Sequence, residues 1–161
     1  MVMDYSKVIW LKNVRPDDKS WAYLSVNDIQ MMESRIFQLH WKSKDDSSLK
    51  SPQKGDLMVL VQHARVTHIV EVLDNRVYGN NDEWASYRVV QAIWMPPINF
   101  DWHSLPHQKE VFGIESLPQD GSAHSLDQAD KMYQFNEYWK DKGGVDGFQQ
   151  NLAKVLSDVQ V

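Results

Sequence analysis

The sequence predicts an α+β fold: a small, mostly antiparallel β-sheet curled toward a barrel, with flanking helices and a C-terminal helical tail. Three observations predict it. Runs of strand length outnumber strand–helix–strand units, which argues against a parallel, doubly wound sheet. Two of these runs, Leu57 to His63 and Val66 to Leu73, are separated only by Ala64-Arg65, as in an antiparallel hairpin. After Ser125 the apolar residues return to helical spacing, with Leu126, Ala129, Met132, Tyr133 and Trp139 on one face. The division expected is a barrel domain over 1–124, with the helices of 125–161 packed on it.

The elements follow in order. Ser6 to Asn13 reads as a strand with a buried run Val8-Ile9-Trp10-Leu11, broken by the turn Arg15-Pro16-Asp17-Asp18. Ser25 looks like an N-cap, and Ile29, Met32, Ile36 and Leu39 recur at helical spacing, so a helix is expected over 26–40. Residues 42–53 are polar and read as a loop. Lys54-Gly55-Asp56 is a turn into the hairpin. Trp84 to Trp94 alternates as a long strand and ends at Pro96-Pro97. Residues 98–124 read as irregular, with one strand at Glu110 to Ile114. The first tail helix, capped by Ser125, stops at Gly143-Gly144; Asp146 caps a last one carrying Phe148, Leu152, Val155, Leu156 and Val159.

Composition narrows the function. The 161 residues contain no cysteine, which excludes a disulfide framework, a thiolate zinc site and a cysteine nucleophile. The start, MVMDYSKVIW, does not read as a secretion signal, and no apolar run approaches the ~20 residues of a membrane span. A cytoplasmic location and no membrane partner are expected. The net charge of −5 disfavours non-specific coating of nucleic acid. That charge is uneven: the first 44 residues have seven basic against five acidic side chains, whereas residues 111–161 have four against eight.

No phosphate loop, dinucleotide fingerprint, nucleophile elbow or HExxH motif is present, and no cofactor is expected. His103 and His107 have the spacing of helical metal ligands, but Pro106 between them disfavours the helix and a metal site. His63 and His68 with Glu71 are an acid/base candidate, although Glu71 falls well along its strand from the turn. The seven tryptophans suggest more. A ring stacked on a base gains on the order of 1–3 kcal/mol. Trp10 and Trp139 read as core; Trp21 and Trp84, each next to a polar loop, are better placed to offer a ring at a barrel mouth.

The order of pieces resembles the PUA-like superfamily, in particular its EVE and YTH branches. The pieces are Ile9-Trp10-Leu11-Lys12-Asn13, the SWAYL segment, the Lys54-Gly55-Asp56 turn before an apolar strand, His68-Ile69-Val70-Glu71-Val72, and Tyr87 to Trp94. The likeness runs over roughly residues 6–120, with short motifs whose order carries it. It implies a small barrel that takes a modified or flipped base of RNA or DNA into an aromatic pocket. By that resemblance Lys12, Asn13 and Asp17 would contact the base. Trp21 and Trp84 would be the walls, with Trp41 in place of Trp21 if the register of the helix differs. Arg15, Lys19, Arg65 and Arg88 would reach phosphates. Where EVE strands carry small residues, this chain has the bulkier His68-Ile69-Val70, which would narrow the pocket. Two alternatives stay open: an RNA- or nucleotide-processing hydrolase on the same barrel, and an adaptor whose acidic C-terminal helices dock a protein partner.

Overall fold

The run Leu57 to Val61 has no polar face because the strand it forms is covered on both sides. A computed structural model describes residues 3–14, 21–23, 35–97, 100–128 and 130–159. They form strands β1 (Val8–Asn13), β2 (Ile36–Trp41), β3 (Leu57–Gln62), β4 (Arg65–Val72), β5 (Ser86–Trp94) and β6 (Ala123–Ser125). The helices are α1 (Ser47–Lys50), α2 (Gln108–Phe112), α3 (Tyr133–Trp139) and α4 (Gly144–Ser157). The sheet order is β2-β5-β4-β3-β1-β6. β1 runs parallel to β3, and the other pairings are antiparallel. The mixed sheet curls into a half-barrel.

Alternation along the central strands builds a core on each face. Leu57, Val59, Val61 and Ile69 meet α2, α3 and α4 through Val111, Phe112, Phe135, Trp139, Phe148 and Leu152. Met58, Leu60, Val70, Val72 and Val90 turn the other way and pack with Leu39, Trp41, Trp102 and Leu105. Burying each such side chain contributes about 1.5–3 kcal/mol. An irregularity between Val8 and Trp10 lets Val8 and Leu11, three residues apart, reach the same core. In the hairpin turn His63 and Ala64 have φ of 49° and 62°, the left-handed pair a two-residue link needs. The link therefore falls one residue earlier than expected, with Gln62 opposite Arg65.

Four expectations are corrected. Residues 36–40, assigned to a helix, belong to β2; Phe37, Leu39 and Trp41 alternate into the core, while Ile36 is exposed. The rest of that proposed helix, 26–34, lies outside the described residues. Glu110 to Ile114 is not a strand: the His107 ring caps α2 by accepting from the Lys109 amide at 3.1 Å, and Gly113, at φ 80°, ends it. Ser125 ends β6 rather than capping a helix, because Ala123 to Ser125 pair with Trp10 to Lys12; α3 starts only at Tyr133. The polar segment after β2 holds the short α1, capped by the Asp46 carboxylate. Among the described residues, no helix is long and apolar enough to cross a membrane.

Candidate functional site

The hairpin end of the sheet gathers rings from five parts of the chain. Trp21 lies 4.9 Å from His63, 5.6 Å from Trp102 and 5.3 Å from His103, all edge-on. Beneath them His68 lies 5.4 Å from Trp102, 5.9 Å from Phe37 and 6.3 Å from Tyr23. Tyr23 leans on Phe37 at 4.5 Å, and its hydroxyl accepts from the His40 amide. Exposure falls with depth. His63 and His103 are exposed and Trp21, Tyr23 and Phe37 are half-buried, whereas Trp102 and His68 are buried.

Local chemistry explains the placement. Trp102 opens a short 3-10 turn, Trp102–Ser104, capped by the Asp101 carboxylate, which accepts from the His103 amide at 2.9 Å. Ala22 is clamped by the Gln62 side chain, which accepts from its amide at 2.7 Å and donates to its carbonyl at 3.1 Å. This pairing holds Trp21 and Tyr23, on either side of Ala22, against the sheet. His68 Nδ1 contacts the Thr67 hydroxyl at 2.9 Å. Burial pushes the His68 imidazole down to about 3, against a smaller opposing effect of the Tyr23 backbone. One buried nitrogen in the cluster, Trp102 Nε1, has no hydrogen-bond partner among the described residues, whereas the His68 imidazole also hydrogen-bonds toward the Tyr23 backbone.

The residues singled out from the sequence do not all meet here. Trp21 does. Trp84 is exposed, but it lies past the opposite end of β2, where its amide donates to the Lys42 carbonyl at 2.9 Å. The proposed walls Trp21 and Trp84 thus sit at opposite ends of the strands. Trp41 is sealed in the core with its Nε1 on Ser48 Oγ, and so cannot replace Trp21 as a wall. Lys12 is buried too: its amine donates to the Gly121 carbonyl and lies 4.9 Å from the centre of the Trp41 ring. Asn13 is buried next to it in sequence. Asp17, Arg15 and Lys19 lie outside the described residues.

Arg88 is not a phosphate contact. It is 1% exposed and donates to the carbonyls of Leu49, Pro52 and Asp74 at 2.7–2.9 Å, tying the segment before β3 and the one after β4 to β5. Arg65 is half-buried and spends one guanidinium nitrogen on the Leu105 carbonyl at 2.6 Å. His63, His68 and Glu71 do not form an acid/base group. His68 is buried and neutral at ordinary pH, and Glu71 alternates with Val70 and Val72 onto the other face. His103 packs on Trp21 while His107 caps α2, and among the described residues no three potential ligands gather as a metal site requires.

Two hollows, of about 430 and 410 Å³, lie elsewhere. The first sits between Leu117, Asp120 and the start of α3, the second beside Arg65, Phe100 and Val155. Neither is lined by any of the buried side chains that carry an unpaired polar atom. The ring cluster is therefore the better candidate. The sequence offers Trp102 only as one of seven tryptophan candidates and does not single out Tyr23 or Phe37. The chain matches no protein-family model, no curated protein and no solved structure.

Proposed function

We propose that the protein is a nucleic-acid-binding module that takes a single unstacked base, modified or flipped out, of RNA or DNA among Trp21, Tyr23, Phe37 and Trp102. The observation that supports this most is the gradation of the cluster. Half-exposed rings at the surface lead to buried rings, one of which, Trp102, carries an unpaired hydrogen-bonding nitrogen. Flat faces favour a flat heterocycle, and stacking on the order of 1–3 kcal/mol per base offsets the few kcal/mol needed to extrude it. The acidic net charge makes the slot, rather than a broad electrostatic surface, the main source of affinity. The resemblance of the motif order to PUA-like domains points the same way, and the curled half-barrel sheet is compatible with it.

The test is titration of single-stranded oligonucleotides, with and without base modifications, followed by tryptophan fluorescence. Trp21→Ala should weaken binding at least tenfold, with its folded spectrum kept, while Trp84→Ala should leave it unchanged. Equal affinity of the Trp21→Ala variant and the wild type would reject the slot.

A further inference from the structure

Gly113, at φ 80°, ends α2, and the chain runs on through Pro118, which cannot continue a helix, toward β6. After β6 it turns again before α3, whose first turn has no side-chain cap. The hollow of about 430 Å³ lies between these two irregular segments. Its floor is apolar, because Leu117, Met132 and Phe135 belong to the core on the helix side of the sheet. Hydrogen bonds brace its two walls. The buried His124 ring stands between Asp120 on one wall and Gln128 on the other, 2.9 Å from each. The Gln128 carbonyl accepts in turn from the Asn136 side chain at 3.2 Å. A braced hollow of this volume falls in the range of preformed small-molecule sites.

One charged group of the lining is held in place. Asp120 accepts from the Ser122 amide at 3.0 Å, and its two oxygens lie 2.9 and 3.2 Å from His124 Nε2. A carboxylate offers about four acceptor sites, so these contacts leave room for a further donor. Partial burial works against its charge, but the bonds from His124 and Ser122 outweigh that and hold the carboxyl below its usual range. Asp130, exposed at the rim, is a second carboxylate in the lining, against the single ammonium of Lys131. Negative charge is therefore in excess beside an apolar floor.

We infer that this hollow is a second binding site, separate from the ring cluster, for a small aromatic amine in its charged form. Asp120 pairs with the ammonium. The ring lies on Leu117, Met132 and Phe135, where the Met132 thioether makes a favourable contact with an aromatic edge. An acid of the same shape meets two carboxylates and is turned away, so the site selects by charge as well as by shape.

Phenethylamine and 3-phenylpropionate separate charge from shape, because they share a ring on a two-carbon arm and differ in the sign of the end group. Each is titrated into the nitrogen-15-labelled full chain while the amides of Leu117, Asp120 and Met132 are followed. Phenethylamine should shift these amides saturably and bind at least tenfold more tightly than 3-phenylpropionate. Asp120→Asn, which keeps an acceptor for His124, should weaken the amine at least tenfold. Lys131→Glu changes an exposed side chain and should tighten the amine about threefold at low salt, so it tests the charge even where Asp120→Asn fails to fold. Equal binding of the two probes, or a folded Asp120→Asn variant that binds the amine as before, would overturn the pairing. Unchanged affinity in Lys131→Glu would overturn the selection by charge, and amides that do not respond to phenethylamine would overturn the site itself.

Discussion

Acid should unfold this protein through His68. The buried imidazole titrates at about 3, against about 6.5 in an unfolded chain. Its folded value is depressed, so the stability it contributes is complete above pH 6.5 and is lost as pH falls toward 3. In that window the unfolded chain takes up a proton that the native state refuses. The slope is about 1.4 kcal/mol per pH unit, so roughly 3 kcal/mol has gone by pH 4. That is a large part of the ~5–15 kcal/mol that holds a typical domain together. His68→Phe removes the titration and costs about 1 kcal/mol at pH 7 for the lost Thr67 bond. Urea unfolding of both proteins between pH 7 and pH 4 isolates the effect, because every other titrating group cancels in the difference. The wild type should be the more stable at pH 7 and the less stable at pH 4, with the curves crossing at about pH 5–6. Parallel decline of the two would show that His68 is protonated as easily in the native state as outside it, and would refute the reasoning.

Two further substitutions test residues that the sequence offered for ligand contact. Burial lowers the Lys12 amine to about 8, outweighing the nearby Asp46 and Asp120 charges. Between pH 8 and 10.5 the unfolded chain therefore holds a proton that the native state has lost. The stability of the wild type relative to Lys12→Met should rise across that window by roughly 3 kcal/mol, read from urea midpoints; a flat difference would count against a buried charge. Arg88→Met leaves three carbonyls, two of them buried, without their donor. It should cost about 3–5 kcal/mol in chemical denaturation, while the folded fraction binds oligonucleotide as before. A stable variant with weakened binding would restore Arg88 to the phosphate role.

The parts of the fold legible in the sequence are those where one period dominates. The unbroken run of β3 and the strict alternation of β5 could be read directly, and the hairpin was misplaced by a single residue. β2 was hidden because Ile36 and Leu39 also satisfy helical spacing. Only the sheet shows that Phe37, Leu39 and Trp41 are the inward set and that Ile36 faces solvent. β6 has three residues, too few for any period to register, and exists because β1 offers it an edge. At the site, Trp21 stood out because a large ring beside a polar turn is informative. Trp84 looked the same locally, and only the strand register, pairing Trp41 with Ser86, puts it at the far end. Lys12 and Arg88 show the same blindness to burial: a charged side chain reads as surface until the carbonyls it satisfies are known.

The position of β1 bears on how the chain is made. Leu11 pairs with Val59 on one side and with His124 on the other. The antiparallel ladder β3-β4-β5 joins neighbours in sequence and can assemble while translation is still under way. β1 precedes that ladder in the chain, yet it is flanked on its second side only once the ribosome has released Ser125. Until then a nascent polypeptide carries an open strand edge, and stalling or cleavage before that point would leave a species inclined to pair with another copy of itself.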